Sequence, residues 1–190
     1  MPRQTHVISS AAILAVLALL TGCGTASSTR KTVAIPFQSP AITNGRIPVK
    51  YTCDGKNVAP TLEWGEIPSG VNEVALFLLG LTPSGGSGGA SISIEWAVAG
   101  IKTSVHRITA GHLPHGALVG SDTSGSHHYS VCPGRGKVKT YEFAVYAVPS
   151  AVKPTPGFKG IQLLGELASS NSPTVASAAG QFTAQYKRKA

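Results

Sequence analysis

A single carboxylate interrupts an otherwise apolar run, "IEWAVAGI", at residues 94–101. The run has the length and composition of a buried β-strand, and Glu95 stands directly before Trp96. A carboxylate in such a strand can hold a cation, accept hydrogen bonds or act as a base, and it is costly to bury without a partner. Glu95 is therefore the first candidate for a functional residue.

A second set of polar residues lies between positions 109 and 140, a long irregular stretch rich in Gly, Ser, His and Pro. Loops of this length are often functional. Ser124 and Ser126 precede a histidine, but no third group marks either hydroxyl as an activated nucleophile. The stretch also contains four histidines, His112, His115, His127 and His128. We interpret them as solvated loop residues rather than as a metal site. The sequence predicts neither catalysis nor a metal or other cofactor.

The N-terminus is typical of an exported lipoprotein. Residues 7–20 are mostly apolar, follow Arg3, and form too short a run for a comfortable transmembrane helix. "LTGC" at 20–23 matches a bacterial lipobox, in which Cys23 is acylated after cleavage. This predicts a signal peptide at 1–22, a flexible tether at 23–32 and one domain at 33–190; the alternative is a plain secretory signal with an incidental cysteine.

Two further cysteines, Cys53 and Cys132, remain for an oxidising compartment. They predict a disulfide, which in the chain-entropy model contributes about 4.5 kcal/mol; the alternative is two buried free thiols. Export also weakens a nucleic-acid interpretation of the net charge of +8. The basic "YKRK" at 186–189 is either a contact for anionic headgroups or a solvated tail.

Frequent Gly and Pro and few charged residues indicate a mainly β, turn-rich domain. Alternating or apolar patterns predict strands at 32–37, 46–53, 73–81, 91–101, 141–149 and 181–188. The Gly-rich residues 83–89 predict a flexible loop. Helical spacing of Ile161, Leu164 and Leu167 predicts a helix within 158–170, and Ser172-Pro173 is a possible start of a second helix reaching 180.

These motifs occur in an order that resembles the phosphatidylethanolamine-binding protein family, also called Raf-kinase-inhibitor-like. "YTCDGKNVAPTLEW" at 51–64 resembles a family signature in which Ala59 replaces a serine. "LPHGA" at 113–117, "HYSVCPG" at 128–134 and "YEFAVYAV" at 141–148 follow in the family's order. The resemblance implies a central antiparallel sheet in a sandwich-like core, with a peripheral sheet and C-terminal helices.

The resemblance also implies a small anion pocket, but its charged residues are replaced in this chain. The family's Asp-Pro-Asp-Ala-Pro turn falls on residues 79–83, and its His-Trp pair on Glu95 and Trp96. A second histidine position falls on Lys139. The corresponding pocket residues, a degenerate ligand site, are Leu79, Leu81, Pro83, Glu95, Trp96, Tyr129, Pro133, Lys139 and Tyr141.

A carboxylate at position 95 would repel a phosphate by about 4 kcal/mol at about 4 Å and an effective dielectric of about 20. We expect Glu95 to pair with Lys139 across the old pocket, with Arg135 as a second possible partner. The alternative is that Glu95 reaches solvent or a backbone amide.

These observations predict a non-catalytic, ligand-binding lipoprotein on the extracytoplasmic face of the cell membrane. Its ligand would be cationic or amphipathic, or another protein, and no nucleic-acid partner is expected. The alternative is an inhibitory or interaction protein that acts through surface loops.

Overall fold

A computed structural model describes residues 32–83, 89–169 and 175–190. The predicted signal peptide and Cys23 lie outside these residues. The strands are β1 (Val33–Ala34), β2 (Phe37–Gln38), β3 (Leu62–Trp64), β4 (Val71–Pro83), β5 (Ala90–Lys102), β6 (Arg107–Ile108), β7 (Leu118–Val119), β8 (Val138–Pro149) and β9 (Ala178–Lys187). A 3-10 helix spans Val49–Tyr51, and the α-helix α1 spans Gly160–Ala168. No helix in the described ranges is long and apolar enough to cross a bilayer.

The described strands form two sheets. The large sheet has the order β1-β9-β8-β4-β5-β7, and the small sheet has the order β2-β3-β6. All pairs are antiparallel except β1 with β9. The long central strands β4, β5 and β8 confirm the predictions for 73–81, 91–101 and 141–149, and the mainly β fold is as predicted.

β4 is apolar throughout its middle because both of its faces are covered. Leu76 and Leu78 pack with Trp64 in the core between the two sheets. Phe77 and Leu79 face the other way and pack against α1, where Leu163, Leu164 and Leu167 are buried. A strand buried on both sides has no polar face, and so its sequence shows no alternation.

One predicted strand, 46–53, is wrong, and another, 32–37, is divided in two. Residues 46–53 do not form a strand, because the amides of Tyr51 and Thr52 bond to carbonyls three residues back, 2.9 and 3.0 Å away, and so form the 3-10 turn. The segment 32–37 forms two short strands on different sheets. Pro36 lies between them and has no amide for a ladder.

The second predicted helix is wrong over its described part. Residues 175–177 are not helical, and β9 begins at Ala178, where it pairs with Val33. Residues 170–174, including the expected Ser172-Pro173 start, lie outside the described part of the chain. Small residues such as those at 176–180 fit either a helix or a strand. Here pairing with the neighbouring strands favours the strand. One C-terminal helix, α1, is therefore described instead of the expected two.

Candidate functional site

Glu95 occupies a β-bulge in the large sheet. Leu78 lies opposite Trp96 and Leu79 opposite Ile94, so Glu95 is the extra residue of the pairing. A bulge shifts the alternation of side chains by one residue. Ile94 therefore packs on the α1 side, whereas Trp96 joins the core between the sheets. Glu95 points to the same side as Trp96, which strict alternation would not allow.

The structure confirms the predicted pairing of Glu95 with Lys139. Lys139 Nζ lies 2.6 Å from Glu95 Oε1, and these side chains are 23% and 18% exposed. The Ser93 hydroxyl donates to the same carboxylate oxygen at 2.6 Å and lies 3.2 Å from Lys139 Nζ. A half-buried carboxylate thus has two donors, which offset the free-energy cost of removing it from water.

Gly80 makes room for this pair. It lies between Ser93 on β5 and Tyr141 on β8, under the two charged groups. A Cβ atom at position 80 would lie 2.5 Å from Lys139 Nζ and would also collide with Glu95 Oε1. Close packing against these side-chain ends, rather than an unusual backbone angle, favours glycine here.

Tyr141 lies beside the pair, and Tyr129 packs with Trp96 in the neighbouring core. The Tyr141 ring centroid is 5.6 Å from Lys139 Nζ. Burial, and then the Glu95 carboxylate, raises the pKa of the Tyr141 phenol, so its hydroxyl stays neutral at physiological pH. The Trp96 and Tyr129 rings meet edge to face with centroids 5.7 Å apart. The buried Tyr129 hydroxyl has no hydrogen-bond partner among the described residues.

The pair forms one wall of an open hollow of about 450 Å³. The opposite wall is the loop around Asp122, whose Oδ1 accepts bonds from the Ser124 amide and hydroxyl and from the Ser126 amide at 2.7–2.8 Å. The Ile94 amide donates to the Thr123 hydroxyl at 2.7 Å and so ties the loop to β5. The hollow is lined by Ser93, Ile94, Glu95, Asp122, Thr123, Ser124, Ser126, His128, Ser130 and Lys139.

Of the nine predicted pocket residues, Glu95 and Lys139 line this hollow and the other seven do not. Trp96 and Tyr129 line a separate pocket, and Tyr141 is buried in the core between the sheets. Leu79 is buried on the opposite face of the sheet, and Leu81 packs partly against the same apolar cluster. Pro83 is exposed at the end of β4. These assignments followed the family's turn, but alternation along β4 leaves Gly80 as the residue beneath the pair. Pro133 is buried nearby, and its carbonyl accepts a bond from Arg188 at 3.3 Å.

The hollow also contains residues that sequence reasoning did not select. Ser93 and Asp122 contribute most. Ser93 donates to Glu95, and Asp122 accepts the bonds from Ser124 and Ser126 that hold its loop. The density of hydroxyl residues in 121–130 was an available signal, since a long polar loop in a compact domain is often functional. The four loop histidines are exposed, and no group of three or more potential metal ligands occurs within residues 32–83, 89–169 and 175–190.

The predicted disulfide is present between Cys53 and Cys132. It joins the loop after the 3-10 helix to the segment that precedes β8. Next to it, Asp54 accepts bonds from the Tyr186 hydroxyl at 2.6 Å and from Arg188 Nε at 3.3 Å. The end of β9 is thereby fixed to the loop that carries the disulfide.

The fold and site define a mainly β domain of two sheets and a helix with a polar hollow at one end of the large sheet. Residues 38–183 match the phosphatidylethanolamine-binding protein family, and the chain belongs to that family. A relative from Mycobacterium tuberculosis named lipoprotein LppC is 31% identical over 141 residues, which is 73% of this chain and 67% of that protein. A UPF0098 protein of Methanothermobacter thermautotrophicus is 31% identical over 119 residues, 60% of this chain and 75% of that protein.

Solved structures show the same fold. The homolog CT736 of Chlamydia trachomatis has a TM-score of 0.65 at 24% identity and covers 83% of this chain and 99% of its own. YbcL of Escherichia coli has a TM-score of 0.64, also at 24% identity, covering 82% of this chain and 99% of its own. The name of the mycobacterial relative agrees with a membrane-associated lipoprotein.

Proposed function

We propose that this chain is a membrane-anchored, extracytoplasmic lipoprotein whose domain binds a ligand without transforming it. The observation that carries the binding role is the Glu95–Lys139 pair at 2.6 Å in the wall of the hollow. The pair neutralises itself, and Asp122 adds a second carboxylate to the lining. Glu95, Lys139 and Asp122 together carry a net charge of −1, which favours a cationic or hydroxyl-rich ligand over a phosphate.

The anchoring part of the proposal is supported by the lipobox at residues 20–23 and by the name of the mycobacterial relative. Its test is the variant Cys23→Ala in a bacterial host that processes lipoproteins. We expect the wild-type chain in the membrane fraction, labelled by a fatty-acid probe, and an unlabelled variant. Equal labelling of both would contradict acylation at Cys23.

Titration calorimetry tests the binding part. The purified chain is titrated with inorganic phosphate, phosphoethanolamine and ethanolamine. We expect no saturable phosphate binding at micromolar concentration, and saturable ethanolamine binding that Glu95→Gln weakens at least about tenfold, the loss of one charge-assisted contact. Saturable micromolar phosphate binding to the wild-type chain would contradict the proposal.

A gain-of-function variant sharpens the same test. Glu95→His combined with Lys139→His restores the residue types that the family resemblance implies at these positions. We expect this double variant to acquire phosphate binding, strongest below the usual imidazole pKa of about 6.5, where both rings are charged. Glu66→His, at an exposed position, is the matched control. A partner protein captured from intact envelopes together with no ligand binding would favour the interaction role instead.

A further inference from the structure

The end of the large sheet where β9 finishes is strongly basic. Two backbone bonds join the β9 terminus to the turn before β8: Gly136 N donates to Lys189 O at 3.2 Å, and Arg188 N donates to Lys137 O at 3.0 Å. Asp54 connects the neighbouring loop to Arg188. We call the cations that this arrangement gathers the basic end: Lys50, Lys56, Arg135, Lys137, Lys187, Arg188 and Lys189. All except the half-buried Arg188 are exposed.

The basic end has little compensating negative charge. Of the chain's eight acidic residues, only Asp54 lies within the segments 50–56, 135–137 and 187–189 that carry these cations. Its carboxylate is already occupied by Tyr186 and Arg188, and the hydrogen bond from Tyr186 does most to lower the pKa of Asp54. Six exposed cations are therefore available to an external partner. The "YKRK" segment is not a free tail, because it is fixed in β9 and in the contacts with Asp54 and Lys137.

Two exposed apolar side chains lie among these cations. Val138, 56% exposed, is paired across the strands with Lys187, and Val49, 45% exposed, precedes Lys50. Exposed valines between lysines suit the boundary between headgroups and acyl chains, where the lysine ammonium groups reach phosphate and the methyl groups leave water. A purely electrostatic partner, such as a nucleic acid, would have no use for them.

The basic end and the start of the domain lie at opposite ends of β9. β1 pairs with Ala178 and Ala179, whereas the basic end begins at Lys187. At about 3.3 Å per residue these points are about 30 Å apart. A tether of ten residues, as predicted for 23–32, can reach at most about 35 Å when fully extended. An anchor at Cys23 therefore leaves the domain free to lie along the bilayer and bring the basic end to its surface.

From this geometry we infer that the basic end docks on an anionic phospholipid bilayer, as a second membrane contact besides the acyl anchor. The choice of a bilayer rests on the proposed anchoring, whereas the positive surface is independent of it. Such docking turns the long axis of the sheet parallel to the membrane. It also brings Lys139, next to Val138 in β8, and hence the hollow, close to the lipid surface.

The test uses the full chain bound to vesicles, with an environment-sensitive dye attached at Ala190→Cys beside Lys189. The vesicles are phosphatidylcholine alone, or phosphatidylcholine and phosphatidylglycerol at about three to one. The patch variant is Lys137→Gln, Lys187→Gln and Lys189→Gln. The matched control removes three exposed lysines elsewhere, through Lys102→Gln, Lys153→Gln and Lys159→Gln.

We expect lipid-side quenching of the dye on phosphatidylglycerol vesicles and little on neutral ones. Each surface cation contributes roughly a fivefold gain, so the patch variant should shift the docked-to-free ratio by about a hundredfold, and the control should not. Salt at about 1 M should release the wild-type domain while leaving the chain on the vesicles. Absence of the chain from both kinds of vesicle would count against the anchor, since docking is measured on chains already attached.

Equal quenching for the patch variant and the control would overturn the inference. So would equal quenching of the wild-type chain on neutral and anionic vesicles. Tight binding to heparin or duplex DNA without any quenching on anionic vesicles would assign the basic end to a soluble polyanion instead, and would also overturn it.

Discussion

The two faces of the large sheet differ most at residues 79–80 of β4 and 94–95 of β5. On the α1 face, Leu79 and Ile94 pack with Leu163 in a buried apolar cluster. On the other face, one residue further along β4 and β5, Gly80 and Glu95 lie beneath and beside Lys139. Leu76, Leu78 and Trp96 fill the same face with apolar core beside this point, so both faces supply stability and the charges lie at the edge of that core, held by their own contacts.

The largest effect is expected from Leu79→Ala. Leu79 is 3% exposed, and the variant leaves a cavity against α1, so it should lower the free energy of unfolding by about 2–5 kcal/mol. Chemical denaturation measures this value. Leu81→Ala, on the same face but half-buried, is the control and should cost less. If Leu79→Ala left ligand binding impaired in the still-folded fraction, the separation of the two faces would be wrong.

A smaller loss is expected on the polar face from Lys139→Met. The Glu95 carboxylate, 18% exposed in the wild-type chain, keeps Ser93 as its remaining donor, and the change should cost about 1–3 kcal/mol. Adding Glu95→Gln should recover much of that loss, because the unpaired charge is then removed. Lys153→Met, at an exposed position, is the control. A double variant as unstable as Lys139→Met would show that the two groups are not energetically coupled.

Gly80→Ala tests the space beneath the pair and should cost about 1 kcal/mol. The added methyl meets the ends of two flexible side chains, which can move away. We therefore expect the coupling between Glu95 and Lys139 in a double-mutant cycle to fall. Gly180→Ala is the informative contrast, since its methyl would collide with the rigid Ile35 carbonyl and should be more destabilising. An unchanged coupling energy in Gly80→Ala would mean that the pair does not depend on this gap.

The smallest effect is expected from Glu142→Gln, across the strands from Leu79. Burial raises the pKa of the Glu142 carboxyl above its ordinary value of 4.5. The folded state therefore holds this proton more tightly, and its contribution to stability is present below pH 4.5 and is lost as the pH rises through the folded pKa. The variant should be more stable at pH 7 by about 0.5 kcal/mol. Thermal unfolding at pH 4 and pH 7 measures this, and a gap that widens at pH 4 would contradict the sign.

Sequence reasoning predicted the central strands well and the peripheral ones poorly. Continuous apolar runs such as 73–81 have few alternatives in a turn-rich chain, because so many adjacent apolar side chains need cover on both faces. Residues 46–53 and 176–180 carry no such constraint. Their local patterns fit more than one structure, and hydrogen bonds to distant segments decided between them.

The candidate site was also predicted in part. Its charges were visible in the sequence, because Glu95 and Lys139 stand at positions that the family resemblance assigns to one pocket. Their mutual contact was a hypothesis until the structure placed them together. Ser93 and Asp122 were missed. The density of hydroxyl residues in 121–130 pointed to the loop without singling out Asp122, and nothing in the local sequence distinguishes Ser93 from other strand hydroxyls.

The mainly β class, the family, the cysteine pair and the carboxylate in a central strand can all be read from the amino-acid sequence. These follow from composition, spacing and motif order, which are properties of the chain before it folds. Tertiary structure alone decided which way that carboxylate points. A bulge of one residue exchanges the faces of a strand, and its position depends on pairing with a strand many residues away, so no local pattern records it.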